Sequence, residues 1–363
     1  MSGNKKTPVR RGSRLVVPVA LAFLAAGCTT PPSQTDRSSP PVRTSGSTPT
    51  AHSSPSVAGR VLTLRASLDA PLASWTEVAF LPGGTAEDEI GIDPCSECEP
   101  LVPAALAVGK DGTFWIADSY KRRIAHFAKD GSFLGAIPVE KGPADLTFAG
   151  DHLYALPEEL GSVIAVSKSG GISGTITVNN EGKPLHVYAL IGGQDHLLAL
   201  IAGAQKILGG YWALAEVDPI TGQVTPAPGV QTPGGTYMDL VPLLGTRPLL
   251  HEIRWSDGAQ VTSRLEVGFQ LLHGDTQLRT SVGDTYVRTS TADGVATLVN
   301  MSSGQGLTAR WYLEIPADGR RPIFERFPDE GFMGDALRSL TVGPDGSVYW
   351  MRLLQDGLHV YRR

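Results

Sequence analysis

Three cysteines and one basic, aromatic run are the residues whose types and spacing most plainly offer chemistry. Cys95 and Cys98 stand in the segment DPCSECEP, bordered by Pro94 and Pro100. Outside the cytoplasm a pair of this kind is most simply a structural disulfide. It would close a very small loop and add only a modest unfolded-state entropy term. A redox pair is the other reading, but it needs a stabilised thiolate, and the acidic flanks oppose one. A zinc site would need a second Cys or Cys/His pair at suitable spacing, and the chain has none. Tyr120, Lys121, Arg122 and Arg123 form the basic, aromatic run, read as a contact for an anionic ligand or partner, or else as a solvated loop. The eight histidines are scattered singly, and no H-x-x-x-H or G-x-S-x-G motif occurs. His126 alternates with its strand and reads as a packing residue.

The third cysteine sits in a different setting. Residues 1–14 carry Lys5, Lys6, Arg10, Arg11 and Arg14 and no acid, a pattern that stays on the cytoplasmic side during export. Residues 15–27, LVVPVALAFLAAG, are uncharged and shorter than the roughly 20 residues a membrane-spanning helix needs. Leu24-Ala25-Ala26-Gly27-Cys28 resembles the lipobox of bacterial lipoproteins. The resemblance implies cleavage before Cys28 and acylation of its thiol and amine, giving an anchor of two or three chains at a lipid bilayer. Residues 28–58 begin at that cysteine and are rich in Ser, Thr and Pro; so little apolar surface predicts a disordered tether. The protein is thus expected to be exported, anchored at the outer face of the cytoplasmic membrane, or at an outer membrane if there is one. The Arg10-Arg11 pair lacks the apolar residue that usually follows in a twin-arginine signal, which favours the general secretory route.

Removing residues 1–27 would leave 26 basic and 36 acidic residues, a net charge of −10. That balance argues against a nucleic-acid partner. The remaining stretch, 59–363, shows no second linker, and its short apolar runs are separated by Gly, Pro and Asp-Gly turn signals. No helix-period pattern of useful length interrupts them, so the fold class read from the pattern is all-β.

The most informative segment is residues 103–137, where ALAV, TFWIAD, RIAHF and SFLGAI are joined by turns at Asp111-Gly112 and Asp130-Gly131 and by a short connection. Four strands in a meander follow. Residues 339–363 repeat the plan, with Asp345-Gly346 in the place of Asp111-Gly112 and Val348-Tyr349-Trp350 in the place of Phe114-Trp115-Ile116. Weaker versions span 145–176, 186–224, 237–278 and 282–323. This pattern resembles the NHL-type β-propeller repeat. At about 50 residues per blade the resemblance implies six blades of four-stranded antiparallel sheet. RVLTLRA, residues 60–66, is expected to complete the last blade, which lacks a strand.

The resemblance also assigns roles. An acidic residue after the second strand organises the following loop in such repeats, which points to Asp118. Trp115, Tyr349 and Trp350 are expected to pack between blades. Residues at the start of each first strand face the channel, which marks Pro103, Asp145 and Arg338. These supply no cluster of carboxylates or histidines, so no catalytic residue, cofactor or metal ligand is assigned. The leading expectation is therefore a cell-envelope lipoprotein, a monomer or part of a hetero-complex, that is more a binding platform for a protein, peptide or glycan than an enzyme. The alternative is an extracytoplasmic enzyme of the lactonase or lyase type with calcium or zinc in its channel.

Overall fold

The computed structural model describes residues 60–93, 102–158, 161–167, 170–193, 196–202, 212–243, 250–258, 261–282, 289–304, 307–327 and 339–363. Residues 1–59, with the expected signal segment, the expected tether and Cys28, lie outside them. The described chain is built from antiparallel sheets that follow one another along the sequence, four of them four-stranded, with the meander order of propeller blades.

The first sheet runs Leu106–Val108, Phe114–Asp118, Arg123–Phe127, Phe133–Pro138. The second runs Pro143–Ala149, His152–Pro157, Ser162–Val166, Ile172–Thr177, and the third His186–Gly192, Leu197–Ala202, Trp212–Val217, Val224–Pro226. In the fourth, Val230–Gln231, Tyr237–Leu243, Leu250–Ser256 and Val261–His273 are joined by Thr276–Leu278 and by Arg60–Ser67. The fifth holds Thr280–Val282 and Thr289–Ser290, both against Gly294–Ser303, then Thr308–Pro316 and Ile323–Arg326. The sixth is Leu340–Val342, Val348–Leu354, Gly357–Arg362 and, from far upstream, Thr76–Pro82.

That last strand corrects one expectation. Residues 60–66 do not complete the final sheet. Arg60–Ser67 lies parallel to Val261–His273 at the edge of the fourth sheet, and Thr76–Pro82 pairs antiparallel with Gly357–Arg362 instead.

The turns have a local cause. Gly112, Gly131 and Gly346 sit at φ +81°, +87° and +78°, where a side chain would strain the backbone. The aspartate before each glycine accepts both the N–H and the hydroxyl of the residue two positions on: Asp111 from Thr113, Asp130 from Ser132, Asp345 from Ser347. Asp-Gly-Thr/Ser is therefore a turn whose side chains close it from both ends.

Apolar cores lie between neighbouring sheets. Leu146 and Ile164 pack with Ala105 and Ile124, joining the second sheet to the first, and Leu156 and Val163 pack with Leu190 and Ala199 of the third. Met238 and Phe269 of the fourth share a core with Ile191 and Leu198 of the third and Trp311 and Leu313 of the fifth. Trp350 joins the sixth to Tyr312 of the fifth, and Tyr349 and Leu358 join it to Phe114 and Ile116 of the first. Trp350 and Tyr349 thus pack between sheets, and Trp115 packs against the core between the first and second sheets while it stacks on His126 at 3.7 Å.

Gly192 marks the closest approach of two sheets. A Cβ placed there would lie 1.7 Å from the Phe148 carbonyl oxygen and 2.6 Å from Thr147 Oγ1. Gly192→Ala should therefore lower stability by about 1–3 kcal/mol through overpacking, read as a drop in the urea midpoint. His126 gives a pH test. Burial holds its imidazole below the ordinary histidine value of 6.5, and its Nε2 has no hydrogen-bond partner. The unfolded chain then takes up the proton first, so stability is full above about pH 6.5 and falls on acidification through that value. Between pH 7.5 and pH 5 wild type should lose more melting temperature than His126→Phe, which has no buried imidazole to protonate.

Candidate functional site

The turns that link the first to the second strand of each sheet gather around one cavity of about 640 Å³. It is lined by Val108 and Lys110 from the first sheet, Phe148 and Gly150 from the second, Gly192 and Gly193 from the third. Gln231 and Pro233, Thr289 to Ala292, and Val342 to Gly346 come from the remaining three. A groove of about 860 Å³ adjoins it between the second and third sheets, sharing Lys110 and Gly150.

The groove holds the more reactive set. His196 directly precedes the strand Leu197–Ala202, and its carbonyl accepts from the Gly193 N–H at 2.9 Å. Glu216 lies on the neighbouring strand Trp212–Val217, and the pairing of Leu198 with Glu216 brings the two side chains together. His196 Nδ1 stands 2.6 Å from Glu216 Oε1, with both side chains a little under half exposed. A carboxylate oxygen accepts from a ring N–H, so the contact suits the tautomer that carries its proton on Nδ1. This end of the strand is located by Gly192 against Phe148, and by the Gly150 N–H, which donates to the Gly193 carbonyl at 3.3 Å.

Around this pair stand His152, exposed, and Tyr154, buried, whose phenol is pushed upward by desolvation. Lys110 forms an ion pair with Asp151 at the mouth shared by the two cavities. Asp218 accepts from the Ile220 and Thr221 N–H groups at 2.8 and 2.9 Å, and these bonds hold its carboxyl below the usual value. The groove can therefore orient an imidazole base and supply a phenol proton.

The residues singled out from sequence fall elsewhere. Asp118 is fully buried, accepts from the Gly91 N–H at 3.2 Å and from the Lys121 N–H at 3.4 Å, and pairs with Arg123 Nε at 2.8 Å. The basic run divides. Lys121 Nζ donates to the Ala86 and Glu89 carbonyls, and Arg123 to those of Glu87 and Glu89, while Tyr120 and Arg122 stay exposed. Burial and the neighbouring Arg123 lower the Lys121 ammonium below its usual value. Asp145 is also fully buried; its oxygens accept from the N–H groups of Leu146 at 2.8 Å and Leu190 at 2.7 Å, tying the second sheet to the third. Pro103 is buried, and Arg338 lies outside the described residues.

The disulfide expected between Cys95 and Cys98 is withdrawn: no disulfide bond is present among the described residues, and both cysteines lie outside them. Calcium or zinc in the channel does not fit the donors described. Among the described residues no three His, Cys, Asp or Glu side chains gather as a ligand set. The one carboxylate lining the central cavity, Asp345, already holds Ser347 and Arg362.

The chain belongs to the family described as a domain of unknown function, DUF7485, whose model matches residues 73–263, more than half its length. His196 and Glu216 both fall inside that span. No curated protein matches the sequence. Among solved structures the chain is similar to a gluconolactonase from Xanthomonas campestris, with 12% identity over 80% of this chain and 97% of that one and a TM-score of 0.44. It is similar to a member of the duf4221 family from Bacteroides vulgatus, with 8% identity over 75% and 94% of the two chains and a TM-score of 0.44. A virginiamycin B lyase from Staphylococcus aureus is 12% identical over 72% and 94%, with a TM-score of 0.36. The expectation that the protein is more a binding platform than an enzyme is corrected here. The groove holds a histidine–carboxylate pair, an arrangement suited to a general base.

Proposed function

We propose that this is an extracytoplasmic enzyme, built on a closed six-bladed β-propeller and anchored through acylated Cys28, that opens a cyclic ester by general-base chemistry. The observation that carries the reading is the His196–Glu216 pair, 2.6 Å apart in a groove roomy enough for a small-molecule substrate. Closure of the ring is supported by the apolar cores shared from each sheet to the next and from the sixth back to the first, and by the central cavity lined from all six.

The base acts by removing one proton. In hydrolysis His196 Nε2 takes it from water, whose oxygen bonds to the acyl carbon while the imidazolium returns the proton to the departing ring oxygen. In elimination it takes the proton from the carbon next to the one that bears the ester oxygen; the C–H electrons form a C=C bond as the C–O bond breaks and the carboxylate leaves. Lys110, paired with Asp151, stands at the groove mouth. No metal ion enters this scheme.

The test is a panel of sugar lactones and macrocyclic lactones incubated with purified protein and read by mass spectrometry. A product heavier by one water identifies hydrolysis, and an open product of unchanged mass identifies elimination. Turnover by wild type that is lost in His196→Ala, and partly restored by added imidazole, supports the reading. Equal turnover by the two proteins would sink it.

A further inference from the structure

The groove that carries His196 is only half of a larger depression. It meets the central cavity at Lys110 and Gly150, so a molecule reaching the base has a second, differently lined compartment beside it. The charges at the edges of that compartment are compensated. Lys110 pairs with Asp151, and Asp345 accepts from Arg362 Nη2 at 2.5 Å and from Ser347. What the walls offer besides is neutral: the Gln231 amide, the hydroxyls of Thr289 and Ser290, and apolar faces from Val108, Phe148 and Val342. Neutral donors and acceptors mixed with small apolar surfaces match a ligand that alternates hydroxyl groups with C–H faces. A charged ligand would find no uncompensated partner among these side chains and would lose its hydration without return.

We infer that the central cavity is a binding subsite for an uncharged, polyhydroxylated ring, held against Gln231, Thr289 and Ser290, which presents its ester to His196 in the adjoining groove. This rests on the enzymatic reading for the groove and adds the substrate class. Gln231 and Ser290 act here as binding residues. His196 lies in the groove and not among the residues lining the cavity, so removing its imidazole leaves the subsite intact.

The experiment is saturation-transfer NMR with the full chain and a set of probes: glucose, galactose, N-acetylglucosamine and sorbitol as neutral polyols, glucosamine and glucuronate as charged ones. A neutral member should bind wild type and His196→Ala with equal affinity. Gln231→Ala should weaken it about tenfold, and Ser290→Tyr, which fills the cavity, should abolish the signal in protein whose circular dichroism is unchanged. Binding by the charged probes alone, by none of the probes, or equally by wild type and Gln231→Ala overturns the subsite. Turnover separates the two ideas: polyol binding that depends on Gln231, together with full activity of His196→Ala, keeps the subsite and removes the catalytic role.

Discussion

Glu216→Gln should lower turnover almost as far as His196→Ala, by about 10²–10⁴-fold, with little change in KM. The argument is one of tautomers. The Glu216 carboxylate at 2.6 Å accepts from a ring N–H, which suits the tautomer with its proton on Nδ1 of His196 and Nε2 as the base. An amide in its place can donate to Nδ1 instead, which moves the ring proton to Nε2 and removes the lone pair that the reaction uses. The side chain keeps its size, and because the pair is partly exposed, the fold should tolerate the change. Since the two residues act as one unit, the double variant should be no worse than His196→Ala alone. Steady-state kinetics on the three variants gives the check. A Glu216→Gln protein with unchanged kcat would show that the carboxylate does not set the tautomer.

Neither half of that pair stands out along the chain. His196 and Glu216 are twenty positions apart, one just before a strand and one on its neighbour, and only the register that sets Leu198 opposite Glu216 joins them. Scattered histidines are the form such a site takes in a β-fold, because strands bring together residues that sequence keeps apart. What was legible was local. Asp111-Gly112, Asp130-Gly131 and Asp345-Gly346 dictate their turns through positive φ and aspartate hydrogen bonds, so the first and last meanders could be read directly. Long-range choices could not. Residues 60–66 and 76–82 carry similar alternation, and nothing within either segment says which will pair with Gly357–Arg362. The same holds for Tyr120-Lys121-Arg122-Arg123. Adjacency makes one basic patch of them, yet the turn, with Arg122 at φ 51°, directs Lys121 and Arg123 inward to backbone carbonyls.

The largest loss of stability is expected from Asp118→Ala, at about 3–5 kcal/mol. Asp118 is completely buried and its partner Arg123 nearly so, with Nε 2.8 Å from Oδ2. The same carboxylate accepts from the Gly91 N–H, so it joins the segment before the first sheet to that sheet's second strand. Removing it leaves a buried guanidinium without a counter-charge and a buried backbone N–H without an acceptor. Asp118→Asn keeps one acceptor but not the charge and should fall between wild type and Asp118→Ala. Adding Arg123→Met to Asp118→Ala should recover part of the loss, because the stranded charge goes with it, and the cycle of four proteins gives the coupling. Urea unfolding midpoints provide the measurement. Additive losses in the double variant would show that Asp118 acts through Gly91 alone, with the arginine satisfied by the Glu87 and Glu89 carbonyls to which it also donates.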